Sequence, residues 1–347
     1  MATIRDVAKR AGVSTATVSH VINGTRPVAE RTRAHVLQVM KELNFVPSAF
    51  GRGLRTNSLK TIGFIAADLT NPFFAQVFRG VEKKAREAHY TVIVSHSDEN
   101  AEHEEEAIQN LVAKGVDGIL LAPVRTDPQG AAFYSRIPVP LMTYDRHLTT
   151  GDIPSVVTNS QDAVREAISF FRERGHEHFA LIAGKQGLST TVERLQGFEQ
   201  ATESCAHWVF DGDSRYDGGV QAAHWLSELK TRPSVLMVGN NLMAMGLVVT
   251  LQTQYPALLA STVLIALDDE PWTTFVRPPL SVIVQPTHAI GVTAADLLLQ
   301  RIHHHEVPLL TTLPCDFVAR VDPVSYRHQL SAQSKIQHGL HEEGLEH

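Results

Sequence analysis

The side chains best placed to do chemistry in this 347-residue chain stand near its start, in Val7–Asn23, VAKRAGVSTATVSHVIN. Thr15, Ala16 and Thr17, with His20 one turn later, fall at the start of a short amphipathic helix. A threonine hydroxyl donates to or accepts from a base edge, and its methyl, like that of Ala16, can touch a thymine methyl. Charge supports that chemistry. Residues 1–60 hold ten Lys/Arg against three acids, a net of +7, whereas the remainder carries 21 basic and 34 acidic residues, a net of −13. A basic head attracts a phosphate backbone through counterion release, and an acidic body is repelled by it. DNA contact is therefore confined to the head.

Two helices joined by Ala11-Gly12-Val13 must position those side chains. Thr3 is read as the cap of the first, with Asp6 three residues on completing a capping box. Ser14 caps the second, which runs from Thr15 to Val21 or Ile22. Ala8, Gly12 and Val18 supply the small residue, the left-handed turn residue and the apolar contact that a helix-turn-helix needs. A plain helical hairpin has the same spacing; the charge decides against it. A third helix, from about Ala29 to Leu43, closes the core with Val36, Met40 and Leu43. Pro47 stops it, and Gly51 and Gly53 weaken any helix that follows.

From Thr61 onward the pattern alternates. Apolar runs at Thr61–Ala67, Tyr90–Ser95, Gly118–Ala122, Leu141–Tyr144, His178–Ala183, Val235–Val238, Leu264–Leu267 and Val282–Val284 read as buried parallel strands. Amphipathic helices separate most of them: Pro72–Ala88, Ala101–Lys114, Gln161–Arg174, Val192–Thr202, Tyr216–Leu229, Leu242–Thr253 and His288–Ile302. This spacing indicates a doubly wound α/β architecture in two halves, roughly 61–160 and 161–290. No run approaches eighteen apolar residues and the start is a capped polar helix, so a cytosolic protein without a membrane span is expected. Cys205 and Cys315 fit neither a disulfide framework nor a metal site. His303, His304 and His305 are consecutive and do not share a helix face. With no Walker loop and no GxSxG, no cofactor, metal or enzymatic activity is expected.

The stretch TIRDVAKRAGVSTATVSHVINGTRPVAERTRAHVLQVMKELNFVPSAFGRGLRT resembles the N-terminal domain of the LacI/GalR family of bacterial repressors, most closely its purine and ribose repressor branch. The similarity continues, more loosely, to about residue 328. It implies an N-terminal all-α helix-turn-helix head (1–45), a hinge (46–60) and an α/β periplasmic-binding-protein-like core of two doubly wound subdomains. Those are 61–160 with a crossover segment at about 288–318, and 161–287 with about 319–328; a polar tail fills 329–347. It also implies a homodimer on palindromic double-stranded operator DNA, contacted by Thr3, Ser14, Thr15, Ala16, Thr17, His20, Asn23 and Arg26. Leu54 would wedge into the minor groove beside Arg55 from a hinge helix formed on DNA. His20 stands where the purine-type branch has histidine, which predicts a similar operator half-site.

The same resemblance implies a small-molecule effector in a cleft at the carboxyl ends of the strands. In Asp68-Leu69-Thr70-Asn71-Pro72-Phe73-Phe74, Asn71 suits a helix cap and either phenylalanine suits a cleft wall. Asp145, in Tyr144-Asp145-Arg146, matches a position that accepts hydrogen bonds from sugar hydroxyls. Arg194 matches the arginine that the family points into the cleft from a helix N-terminus, where a cation calls for an anion or many hydroxyls. Asn240 and Asp268 match ligand-facing positions, and Asn241 is read as the cap of the following helix. Arg146 and Thr190 join the candidates, as do Trp272, which stacks on a ring or, the favoured reading, packs in the core, and Gln285, which at the crossover reads equally as ligand-binding or structural. Purine-responsive members carry an arginine and a threonine where Leu188 and Thr190 stand, and their stacking aromatic has no counterpart near Asp213. The expected function is a ligand-responsive transcriptional repressor binding a sugar, sugar acid or sugar phosphate, with a purine or nucleoside as the alternative.

Overall fold

A computed structural model describes residues 2–45 and 58–320, and the chain divides into two compact units, Met1–Lys60 and Thr61–His347. Leu54 and Arg55 of the expected hinge, the return segment beyond Arg320 and the tail 329–347 lie outside the described residues.

The first unit is three helices: α1 (Ile4–Ala11), α2 (Thr15–Asn23) and α3 (Glu30–Glu42). Thr3 and Asp6 cap α1 reciprocally, the Thr3 N–H donating to the Asp6 carboxylate at 2.8 Å and the Asp6 N–H to the Thr3 hydroxyl at 3.3 Å. Those bonds hold the Asp6 carboxyl below its ordinary range. Gly12 closes α1 at φ +65°, a left-handed conformation that costs glycine least. The Ser14 hydroxyl accepts from the Thr17 N–H at 3.0 Å and opens α2. Val7, Ala8, Ala11, Val18, Val21, Val36 and Val39 form the buried centre, with Met40 and Leu43 half-buried at its edge.

The second unit alternates strand and helix. Its strands are β1 (Thr61–Ala66), β2 (Thr91–His96), β3 (Gly118–Leu121), β4 (Leu141–Tyr144), β5 (Ser155–Thr158), β6 (His178–Ala183), β7 (Ala206–Asp211), β8 (Val235–Val238), β9 (Val263–Leu267), β10 (Ser281–Val284), β11 (Leu310–Leu313) and β12 (Asp316–Val318). Its helices are α4 (Pro72–Glu87), α5 (Ala101–Ala113), α6 (Pro128–Tyr134), α7 (Ser160–Arg172), α8 (Ser189–Thr202), α9 (Tyr216–Glu228), α10 (Asn241–Gln254), α11 (Pro256–Ser261), α12 (Trp272–Phe275) and α13 (Thr287–Ile302). No helix among the described residues is long and apolar enough to cross a membrane.

Two six-stranded sheets result, in the orders β11-β5-β4-β3-β1-β2 and β12-β10-β9-β8-β6-β7. Leaving out the edge strands β11 and β12, the second order repeats the first, so β1 to β5 correspond to β6 to β10. After β10 the chain crosses to the first sheet through α13 and β11, which pairs parallel to β5, then returns as β12, antiparallel to β10. The return begins at Asp316, a few residues before the expected 319.

The expected strands and helices all appear, with ends shifted by a few residues at most. Four strands were not anticipated: β5, β7, β11 and β12. β7 (AHWVFD), β11 (LTTL) and β12 (DFV) are edge strands of mixed polarity and exposure, and β5 (SVVT) is a four-residue run with polar ends.

Gly80 of α4 and Gly291 of α13 meet where the two helices touch backbone to backbone. A Cβ at Gly80 would lie 2.2 Å from the His288 carbonyl oxygen, and one at Gly291 2.0 Å from that of Val77. This contact fixes the middle of α4 against the first turns of α13, the helix that follows β10. Gly80→Ala is expected to cost about 1–3 kcal/mol by overpacking, read from the midpoint of urea unfolding. An unchanged midpoint would show that the helices separate freely.

Candidate functional site

The head offers one surface. Thr15 and Ala16 are exposed on the first turn of α2, and Thr17 is half-buried with its hydroxyl 2.9 Å from that of Ser14. His20 is held by Nδ1, 2.8 Å from the Thr25 hydroxyl, a contact that sequence reading missed. That contact fixes the ring through Nδ1. Asn23 Nδ2 donates to the Ser19 carbonyl at 2.7 Å, and Arg26 is exposed beyond the helix. Thr3 and Ser14 hold helix ends with the same hydroxyls proposed for DNA, an arrangement compatible with contact through the neighbouring backbone N–H groups.

The core offers a cleft at the carboxyl ends of both sheets, enclosing about 610 Å³ of atom-free space, part of it open to solvent. Asp145 follows β4 and Asp268 follows β9, the corresponding strands of the two halves. Both adopt left-handed backbone, φ +67° and +61°. Aspartate tolerates this region better than most residues, and such strain gathers at functional positions. The Asp268 carboxylate accepts from Asn241 Nδ2 at 2.9 Å and from Gln285 Nε2 at 3.1 Å. Burial nevertheless pushes its pKa up to about 6. Burial likewise raises Asp145, opposed by Arg146 and Arg194.

Arg194 rises from the second turn of α8. Its guanidinium donates to the Gly239 carbonyl at 2.7 Å and to Gln285 Oε1 at 3.4 Å, and its Nε is buried without a partner. Gln285 thus joins Arg194 to Asp268 through its two amide atoms. Phe73 and Phe74, buried at the start of α4 behind the Asn71 cap, wall the other side, where their rings meet edge to face.

Of the candidates read from sequence, Asn71, Phe73, Phe74, Asp145, Arg146, Thr190, Arg194, Asn240, Asp268 and Gln285 line this one cleft. Trp272 does not: it packs against the apolar core of the second half, with Nε1 buried and unpartnered. Of its two readings, stacking on a ligand or packing, packing is the one seen. The two asparagines exchange roles. Asn240 Oδ1 accepts from the Met243 N–H at 2.8 Å and caps α10, whereas Asn241 faces Asp268, with Oδ1 buried and unpartnered. Arg146 is largely consumed, donating to Glu99 at 2.5 and 3.0 Å and to the Pro123 carbonyl at 3.0 Å. Sequence reading also missed Glu99, whose loop shows no motif, and Asp68, which it took as part of a structural turn.

Contacts across the cleft hold the two halves together. Lys185 Nζ donates to the Glu99 carbonyl at 2.5 Å, and Arg215 to that of Asp98 at 3.2 Å. Asp98 and Glu99 are consecutive left-handed residues, as are Asp213 and Ser214 after the corresponding strand β7. The Thr126 hydroxyl donates to the Gly187 carbonyl at 2.7 Å, and the His147 N–H to the Ser189 hydroxyl at 3.2 Å. The loop carrying Thr126 is braced by Glu104, fully buried, which accepts from the Tyr134 hydroxyl and the Val124 N–H. This is a closed cleft.

A carboxyl whose pKa is raised by folding takes up a proton in the folded state first. Its contribution to stability therefore grows as pH falls from above the folded value towards the unfolded one, here from about 7 to 4 for Asp268. The limit is roughly 3 kcal/mol. Asp268→Asn is expected to flatten the rise in thermal stability on acidification of the unliganded protein across that window. Identical slopes in variant and parent would contradict the buried carboxyl.

Comparison with known proteins agrees with both units. Residues 3–48 match the model for bacterial regulatory proteins of the lacI family, and residues 59–321 match that for periplasmic binding proteins and the sugar binding domain of the LacI family. The chain is 35% identical to the HTH-type transcriptional repressor PurR of Photobacterium profundum over 310 residues, 87% of this chain and 92% of that protein. Among solved structures it is similar to the Lac repressor dimer bound to operator and the anti-inducer ONPF, with TM-score 0.82, 26% identity, and 93% and 99% of the two chains covered. It is also similar to a complex of the transcriptional regulator CelR with cellobiose, with TM-score 0.68, 26% identity, and 93% and 100% covered. With a helix-turn-helix head and a ligand-binding core of two parallel sheets, the chain belongs to the LacI family of DNA-binding transcriptional repressors.

Proposed function

We propose that this repressor acts as a homodimer on a palindromic operator and that a small polyhydroxylated effector in the cleft sets its operator affinity. The observation that carries the reading is the convergence of Asp145, Arg194, Asp268 and Gln285 beside Phe73 and Phe74. Carboxylates and a glutamine carbonyl accept from hydroxyls, a guanidinium donates to them, and aromatic rings pack on the apolar face of a sugar. Similarity to the CelR–cellobiose complex supports a sugar.

On the DNA side, Thr15, Ala16, Thr17 and His20 read the major groove from α2, and Thr3, Ser14, Asn23 and Arg26 fix it on the backbone. Leu54 and Arg55 belong to a hinge between head (1–45) and core. One small head seldom reaches a useful specificity ratio, and two tethered heads gain effective concentration. The effector biases an open-closed equilibrium through the cross-cleft contacts, coupling the sites by on the order of 1–3 kcal/mol.

The alternative is a purine or nucleoside, favoured by the likeness to PurR. Against it, Leu188 is buried in the cleft lining, where purine-responsive members carry an arginine.

The test is a thermal-shift panel of pentoses, hexoses, nucleosides, hypoxanthine and guanine, with Arg194→Ala as control. A sugar at about 100 times its Kd is expected to stabilise the protein by about 2.7 kcal/mol, an effect abolished in the control. The same sugar is expected to change operator affinity by about 5- to 150-fold. Stabilisation by hypoxanthine or guanine alone would overturn the sugar reading.

A further inference from the structure

The cleft's charges do not balance, and its two central aspartates have acceptor sites to spare. Four carboxylates line it, Asp68, Glu99, Asp145 and Asp268, against three arginines, Arg146, Arg194 and Arg215. The arginines are committed already. Arg146 is buried with its terminal nitrogens on Glu99 and the Pro123 carbonyl, and its Nε, without a hydrogen bond, lies 3.4 Å from Asp145. Arg215 lies at the exposed rim and holds Asp98, with its carbonyl at 3.2 Å and carboxylate at 3.7 Å. Arg194 serves Gly239 and Gln285, which leaves its Nε as the one buried donor without a partner among its nitrogens.

The acceptors are in the opposite condition. Among the described residues the Asp145 carboxylate accepts no hydrogen bond, its contact being a 3.4 Å ion pair with Arg146 Nε. Asn241 is 1% exposed, and its Oδ1 is buried without a partner. Asp268 has its donors on one side, from Asn241 and Gln285.

We propose that the cleft selects an uncharged, hydroxyl-donating effector and rejects the sugar acids and sugar phosphates that share its skeleton. The inference rests on the polyhydroxylated reading above and narrows it to the neutral members. A phosphate or carboxylate has no proton to give the two aspartates, and places its charge against buried Asp145 and Asp268 at low effective dielectric. A neutral polyol brings O–H donors to the two aspartates, and one of its oxygens can accept from Arg194 Nε.

The experiment titrates the full-length protein with matched pairs by calorimetry: D-ribose and ribose 5-phosphate, D-glucose and glucose 6-phosphate, D-galactose and galacturonate. The binding pair is expected to favour its neutral member by at least about tenfold in Kd, and the gap is expected to shrink in Asp145→Asn. Comparable or tighter binding of the charged member overturns the inference while leaving the polyhydroxylated reading intact. No binding of any neutral sugar also overturns it. Response to hypoxanthine or guanine in place of every sugar overturns the reading on which it rests.

Discussion

Asp145 and Asp268 are carboxylates held in a largely buried space by backbone that left-handed geometry makes costly, and much of the core around them answers that cost. A buried carboxylate persists only with donors or a counter-charge at hand. Gln285, Asn241 and the two arginines supply them, each from a different element: the β10 crossover, the start of α10, the end of β4 and the second turn of α8. The requirement therefore reaches every layer of the core. Corresponding strands of the two halves, β4 and β9, deliver the two aspartates to one cleft.

Closure follows from the same geometry. The loops after β2 and β7 each turn through two consecutive left-handed residues, which aims the Asp98 and Glu99 carbonyls at Arg215 and Lys185 of the opposite half. Closing the cleft thins the water around the aspartates and strengthens whatever replaces it. A ligand that donates to both carboxylates lowers the cost of the closed form, and that difference in affinity between open and closed forms is what shifts the equilibrium.

Much of this was legible in the sequence because the signals are local or periodic. Capping residues at Thr3 and Ser14, a left-handed turn at Gly12 and buried strand runs each carry their own physics. Most of the cleft was legible through resemblance, which brought Asp145, Arg194, Asp268 and Gln285 into view without geometry. What escaped depends on contacts distant along the chain. Glu99 matters because Arg146, 47 residues away, pairs with it. Asn241 and Asn240 exchange roles because the helix start fixes which amide faces the N–H groups, a one-residue choice that sequence leaves open. Trp272 read as a stacking platform or as core, with core the favoured reading, and it packs in the core.

The most direct test is a crystal structure of the full-length protein with the sugar that stabilises it. The account predicts ligand hydroxyls within hydrogen-bond distance of both the Asp145 and Asp268 carboxylates, Arg194 Nε donating to a ligand oxygen, and a ring packed on Phe73 or Phe74. A ligand that presents a carboxylate or phosphate to Arg194 with both aspartates turned away, or one lodged outside this cleft, would contradict it.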